Sequence, residues 1–130
     1  MATRRSAVPW QPIPLDGIEL MTGEEFQLWI AELFSRAGYV ISFAKLRQPA
    51  TYHLAATRGG ERALICVAHR LLPVGSDFVY RLIWARDEVH GSNRLIAVAP
   101  AGFKANARAL ARKGPVELWA IQELRSFVAG

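Results

Sequence analysis

Two glycines between alternating apolar runs constrain this chain more than any other sequence feature. Residues 51–69 read TYHLAATRGGERALICVAH, and Gly59 and Gly60 separate two runs of strand-forming residues. A two-residue hairpin loop needs positive φ, which glycine adopts without strain. If these glycines form the loop, His53 lies opposite Cys66 and both side chains share one face of the strand pair. The sequence therefore predicts a histidine beside the single cysteine of the chain.

Helical and strand patterns alternate on both sides of this hairpin. Thr22 and Glu25 form a capping box that opens a helix ending near Ala37, with Gly38 as its stop. The run RLIAVAP is typical of a strand buried on both faces. The other predicted elements are strands over 39–45, 51–57, 63–69, 94–100 and 116–121, and helices over 77–90, 102–114 and 122–128. The order αβββαβαβα predicts an α/β (α+β mixed) fold, with a central mixed sheet of about five strands flanked by helices.

The N-terminal region has a different composition from the rest of the chain. Pro9, Pro12 and Pro14 remove backbone donors, so residues 1–20 are predicted to form an extended arm before a domain spanning 21–130. The arm has no apolar core of the kind a secretory signal needs, and no run in the chain approaches the length of a membrane span. A single cysteine fits a reducing compartment, so a cytoplasmic location without membrane contact is expected.

The charge balance favours an anionic partner. The net charge is +5 and the isoelectric point is near 10.0. Lys104, Arg108 and Arg112 recur every four residues on one predicted helix and form a basic stripe about 12 Å long. These three residues are the candidate contacts to DNA phosphates. A solvated helix face that complements the helix dipole is the alternative.

Three stretches in this order resemble the catalytic domain of Mrr-type restriction endonucleases, in the PD-(D/E)XK nuclease-fold superfamily. The resemblance covers residues 21 to 128 and rests on MTGEEFQLWIAELFSRAGY, YHLAATRGGERALICVA and APAGFKANARALARKGPVELW. It implies a restriction-endonuclease-like fold and Mg²⁺-dependent cleavage of DNA phosphodiesters.

The positions that the resemblance marks as catalytic carry other residues here. The family has Asp at the position of His53, Glu or Gln at Cys66, Lys at Ala68 and an acidic residue at Gln27. Mg²⁺ is normally anchored by one or two carboxylates beside the substrate phosphate. Glu61 is the one acidic residue between positions 33 and 76, and it is expected in solvent at the hairpin end. No metal site and no cofactor are therefore predicted, and the four catalytic positions are interpreted as vestigial.

Two other uses of the hairpin residues have to be weighed. His53 and Cys66 could form a thiol–imidazole nucleophile pair, but this needs an orienting third group and an open cleft. His53, Cys66 and His69 could bind zinc, but strand alternation places Cys66 and His69 on opposite faces. A buried thiol beside a space-filling histidine is the simpler interpretation.

Three functions remain open. The leading one is a catalytically inactive nuclease-fold module that binds DNA backbone non-specifically, or acts as a scaffold, in DNA restriction, repair or defence. The second is an active Mg²⁺-dependent endonuclease with displaced ligands, for which Asp77, Asp87 and Glu88 are available. The third is a protein-interaction subunit without nucleic-acid affinity. Tyr80 and Trp84, on the side of their helix away from its main apolar stripe, would then mark a homodimer or partner surface.

Overall fold

A computed structural model describes residues 15–43, 52–88 and 91–129. Within these residues, five strands and five helices follow one another in the order ααβββαβαβα. This is the predicted order with one additional helix at the start. The strands are β1 (Val40–Phe43), β2 (Tyr52–Arg58), β3 (Glu61–Val67), β4 (Arg94–Val98) and β5 (Val116–Trp119). The helices are α1 (Leu15–Leu20), α2 (Gly23–Arg36), α3 (Ser76–Glu88), α4 (Ala105–Lys113) and α5 (Ile121–Ala129).

The strands form one mixed sheet in the order β1-β2-β3-β4-β5. β1 and β2, and β2 and β3, are antiparallel, whereas β3, β4 and β5 run parallel. The parallel strands are joined through α3 and α4, so the sheet combines a hairpin with two helical crossovers. This architecture confirms the predicted fold class.

The hairpin register is the predicted one. His53 pairs with Cys66, and Arg58 pairs directly with Glu61 across the glycine loop. Gly59 has a φ of +60°, in the left-handed region that favours glycine. β3 begins at Glu61 rather than at residue 63 as predicted, because strand pairing continues up to the glycine loop, where Arg58 lies opposite Glu61.

The prediction of an extended arm over residues 1–20 is wrong for its last six residues. Leu15–Leu20 form α1, and Ile18 is buried in the core. Pro14 is the last proline of this region, so the sequence from residue 15 onward is free to donate helical hydrogen bonds. Residues 1–14 of the predicted arm lie outside the described residues.

Helix α2 begins and ends as its sequence predicts. The Thr22 hydroxyl accepts from the Glu25 backbone N–H at 3.1 Å, and the Thr22 N–H donates to the Glu25 carboxylate at 2.8 Å. The chain leaves the helix through Gly38, whose φ is +96°. These contacts satisfy backbone groups that a helix end leaves unpaired.

The sheet separates two buried layers. One face packs against α1, α2 and α5, and its largest fully buried side chains include Phe26, Phe34 and Leu54. The other face packs against α3 and α4. None of the described helices has both the length and the hydropathy needed to cross a membrane.

Candidate functional site

The predicted catalytic positions come together at the start of β2 and the end of β3. The Nε2 atom of His53 lies 3.3 Å from the Sγ atom of Cys66. The Gln27 side-chain amide donates to the carbonyl oxygen of His53 at 3.3 Å. Ala68 follows β3 and belongs to the same buried cluster as Cys66. The fold therefore brings Gln27, His53 and Cys66 into contact, with Ala68 in the same buried cluster as Cys66.

This place is closed to solvent. Cys66 is 0% exposed and His53 is 4% exposed. Phe78 and Leu82 of α3 belong to the buried cluster that contains Cys66 and Ala68. Apolar side chains therefore fill the space next to the Cys66 thiol, and the described residues leave no opening through which a substrate could reach the thiol.

The residues present do not fit a divalent metal. Among the described residues, no three His, Cys, Asp or Glu side chains are grouped so that they could hold an ion. Mg²⁺ needs hard oxygen ligands and retains several waters, whereas this position offers a thiol and an imidazole in a closed core. Asp77, a candidate displaced ligand, is exposed at the first turn of α3. The side chains of Asp87 and Glu88 lie outside the described part.

The third histidine faces the other layer, as strand alternation predicts. The His69 ring Nε2–H donates to the Ile18 carbonyl oxygen at 2.7 Å. Its ring lies 5.1 Å from the ring of Phe26. His69 therefore cannot join His53 and Cys66 in a zinc site.

The basic stripe is exposed on α4. Lys104 at the N-cap of α4 and Arg108 and Arg112 within the helix are exposed, whereas Phe103, just before Lys104, and Ala107 are buried. Arg108 Nε donates to the Phe103 carbonyl oxygen at 3.3 Å. Within the described part of the chain, none of the three cations forms an ion pair, so their charge is available to an anion.

A polar pocket of about 270 Å³ lies where the loop after β3 meets the start of α4. Its wall contains Arg70, Arg81 and Lys104, together with the carboxylate-bearing Asp77. None of the three cations is ion-paired among the described residues. The sequence did not predict this cluster, because Arg70, Arg81 and Lys104 are separated by 11 and 23 positions and meet only through the crossovers. A basic residue directly after a predicted parallel strand was the available signal.

Two hydrogen-bonded contacts connect the segments that line this pocket. Val74 and Phe103 form an isolated parallel bridge between the loops that follow β3 and β4. The Ser76 N–H donates to the side-chain oxygen of Asn106 at 3.2 Å and joins the first turns of α3 and α4. Both helices therefore direct their amino-terminal ends, which carry positive partial charge, toward the pocket region.

A charge network lies at the opposite end of the sheet. Arg94 Nη1 donates to Glu61 Oε2 at 2.7 Å, and Arg94 Nη2 donates to Glu117 Oε1 at 2.8 Å. The Tyr39 hydroxyl also donates to Glu61, at 2.6 Å. The expectation that Glu61 is in solvent is therefore wrong, because the parallel strands bring Arg94 beside it. Arg94 is neutralised by this network and does not add to the anion-binding surface.

The hydrogen bonds of the network shift its pKa values. The Tyr39 hydroxyl, followed by Arg94, lowers the pKa of Glu61. Arg94 lowers the pKa of Glu117. Burial, and then the Glu61 carboxylate, raises the pKa of Tyr39. Both carboxylates are therefore charged at neutral pH and stabilise the folded state there.

Several solved structures are similar to this fold. A crystal structure of a protein of unknown function shares 18% identity with a TM-score of 0.61 and covers 79% of this chain. A repair endonuclease from Pyrococcus abyssi shares 16% identity with a TM-score of 0.56 over 85% of the chain. A complex of EndoMS with double-stranded DNA shares 14% with a TM-score of 0.53 over 87%. This chain spans 65%, 49% and 48% of those chains respectively, so the likeness shows the fold alone.

Comparison with curated proteins gave no match. The family model of the Mrr catalytic domain, described as a restriction endonuclease, matches residues 18–128. Its match includes Ile18 of α1 and runs into α5, so it extends over both layers of the fold. The chain belongs to the Mrr-type restriction endonuclease catalytic-domain family.

Proposed function

We propose that this domain binds DNA through backbone phosphates and does not hydrolyse it. The proposal rests on one observation: the predicted catalytic position is buried, whereas a separate basic surface is exposed to solvent. Cys66 and His53, at the positions where the resemblance implies metal ligands, are in contact and buried in the core. Lys104 at the N-cap of α4, and Arg108 and Arg112 within α4, are exposed at a separate surface.

The chemistry of the closed position argues against hydrolysis. Phosphodiester cleavage by a metal nuclease needs an ion that stabilises charge on the phosphate and activates water. A thiol and an imidazole at 3.3 Å, both buried, give neither the ligands nor the space for hydrated Mg²⁺. The Gln27 amide is engaged with the His53 carbonyl and holds α2 to β2.

The exposed surface supports backbone binding. Lys104 belongs both to the α4 stripe and to the pocket, so the pocket and the stripe form one continuous basic surface. Neutralising a phosphate releases condensed counterions, so each contact adds about −0.9 to the slope of log K against log salt for duplex DNA. Three contacts along α4 predict a slope of about −2.7 from the stripe alone.

The binding test is fluorescence anisotropy with a labelled 25-base-pair duplex between about 50 and 200 mM NaCl. Each of the substitutions Lys104→Ala, Arg108→Ala and Arg112→Ala is expected to reduce the magnitude of the salt slope by about 0.9. Arg125→Ala, an exposed cation on α5, is the matched control and leaves the slope unchanged. Absence of duplex binding at about 50 mM salt, where such contacts are strongest, would overturn the proposal and favour a protein-interaction subunit.

The hydrolysis test is incubation of supercoiled plasmid with Mg²⁺ or Mn²⁺. No nicking is expected from the purified domain, because the ligands are absent from the closed position. Nicking that Asp77→Ala abolishes would instead establish an active nuclease with a displaced ligand. Glu88→Ala tests the second candidate ligand in the same way. Nicking that survives both substitutions and persists after the domain is repurified would also overturn the proposal.

A further inference from the structure

Two aromatic side chains are exposed together on α3. Tyr80 is 43% exposed and Trp84 is 58% exposed. Their ring centroids are 5.9 Å apart and their planes are inclined by only 26°. The two rings therefore form a small stacked surface that faces solvent, which we term the α3 platform.

The α3 platform lies beside the basic pocket. On a helix, residues three and four apart are neighbours, so Asp77 and Arg81 border Tyr80 and Trp84. Asp77 and Arg81 are also part of the pocket wall. A strip about 10 Å long thus runs from the pocket along one side of α3 to Trp84, at a rise of 1.5 Å per residue. Two aromatic rings and Arg81, which forms no ion pair with another described residue, share this strip.

We propose that the α3 platform and the pocket bind a single-stranded segment of nucleic acid, with bases stacked on Tyr80 and Trp84 and a phosphate in the pocket. This rests on the proposed function, since it assigns the preferred substrate of the same basic surface. Base stacking on an aromatic side chain needs an exposed base face, which the interior of a duplex does not offer. The preferred DNA is therefore one with unpaired nucleotides, such as an overhang beside a duplex.

The charges favour a nucleic-acid strand over a protein as the occupant. Arg70, Arg81 and Lys104 surround the pocket, and Asp77 removes one of these three positive charges, so the pocket remains net positive. The amino-terminal end of α3 adds positive potential at the same place. A strand of nucleic acid combines a phosphate with planar base faces and complements both parts of the strip.

The test compares three labelled DNA molecules by anisotropy at one salt concentration. These are a 15-nucleotide single strand, its blunt duplex, and the duplex with a six-nucleotide overhang. The wild-type domain is expected to bind the single strand and the overhang tighter than the blunt duplex. Tyr80→Ala and Trp84→Ala are each expected to weaken single-strand binding by about 5-fold to 100-fold while leaving blunt-duplex binding within about 2-fold.

Three further variants sharpen the result. Phe43→Ala removes an exposed aromatic ring from β1, outside the strip, and is the control expected to change nothing. Trp84→Phe retains a stacking ring and should recover most of the lost affinity. Asp77→Asn removes the negative charge from the pocket and should tighten single-strand binding.

The outcomes separate this inference from the proposed function. Duplex binding with no single-strand preference, or with no effect of Tyr80→Ala and Trp84→Ala, overturns the single-strand assignment and leaves backbone binding standing. Absence of binding to all three DNA molecules overturns both. If light scattering shows a wild-type dimer that Trp84→Ala converts to a monomer, the α3 platform is a protein interface and the assignment is also wrong.

Discussion

Replacement of Arg94 by methionine tests how much the charge network contributes to stability. Arg94 holds Glu61 from β3 and Glu117 from β5, so it links three adjacent parallel strands. Methionine keeps much of the side-chain length and removes the charge and all donors. Glu61 and Glu117 would then remain near each other without their cation.

The magnitude follows from the exposure of the three side chains, which lies between 27% and 41%. Exposed ion pairs contribute about 0.2–1 kcal/mol, whereas removal of one partner from a buried pair costs about 3–5 kcal/mol. The Glu117 side chain is the most exposed of the three, so solvent screens its pair with Arg94. We therefore assign this pair an energy near that of an exposed ion pair. We expect Arg94→Met to lower the free energy of unfolding by about 2 kcal/mol at neutral pH.

Urea unfolding followed by far-UV circular dichroism from pH 7 to pH 3 measures this effect and its pH dependence. The pKa values of Glu61 and Glu117 are lowered in the folded state, so their stabilisation is present above about pH 4.5. It is lost as the pH falls through the lowered folded-state values. The difference between wild type and Arg94→Met should therefore shrink below about pH 4.5. A loss no larger than that of the control Arg125→Met, or a loss independent of pH, would refute the reasoning.

Three other predictions concern the hairpin and the closed position. Millimolar Mn²⁺ or EDTA should shift the melting temperature by less than about 1 °C, because no ligand set in the described residues fits an ion. A melting temperature that rises saturably with Mn²⁺ concentration would contradict this. Cys66→Glu should cost more than about 3 kcal/mol of unfolding free energy in chemical denaturation, since it buries a carboxylate larger than the thiol in the closed position beside His53; an unchanged stability would contradict this. Gly59→Ala should lower the free energy of unfolding by about 1 kcal/mol because of the φ of +60° at this residue, whereas Gly60→Ala should lower it clearly less. Neither added Cβ meets another atom within 4 Å, so equal losses would contradict the explanation by backbone strain.

The elements that sequence reasoning placed correctly are those defined by local rules. The capping box of Thr22 and Glu25 fixes the start of α2, and the glycine pair fixes the hairpin register. Once the loop is two residues long, pairing of His53 with Cys66 follows from strand geometry alone. For this reason the contact between these two side chains could be predicted from the amino-acid sequence.

The features that sequence reasoning missed depend on contacts between distant segments. Arg70, Arg81 and Lys104 meet because β3 and β4 are parallel and their following loops bridge at Val74 and Phe103. Glu61 was expected in solvent because its neighbours in sequence are turn residues, whereas its partner Arg94 comes from β4. In both cases the side chains are brought together by the sheet order, which local patterns do not encode.

The position of the pocket is compatible with the proposed combination of DNA binding and no hydrolysis. Val74 and Phe78 line the pocket and also belong to the buried cluster that covers Cys66 and Ala68. The apolar layer that covers Cys66 thus also forms part of the lining of the basic pocket. A buried thiol–imidazole contact needs no metal to balance its charge, so the core is stable without an ion. The cations of the pocket and of α4 lie outside this layer and lose little solvation, so they can contact phosphates without a metal in the core beneath them.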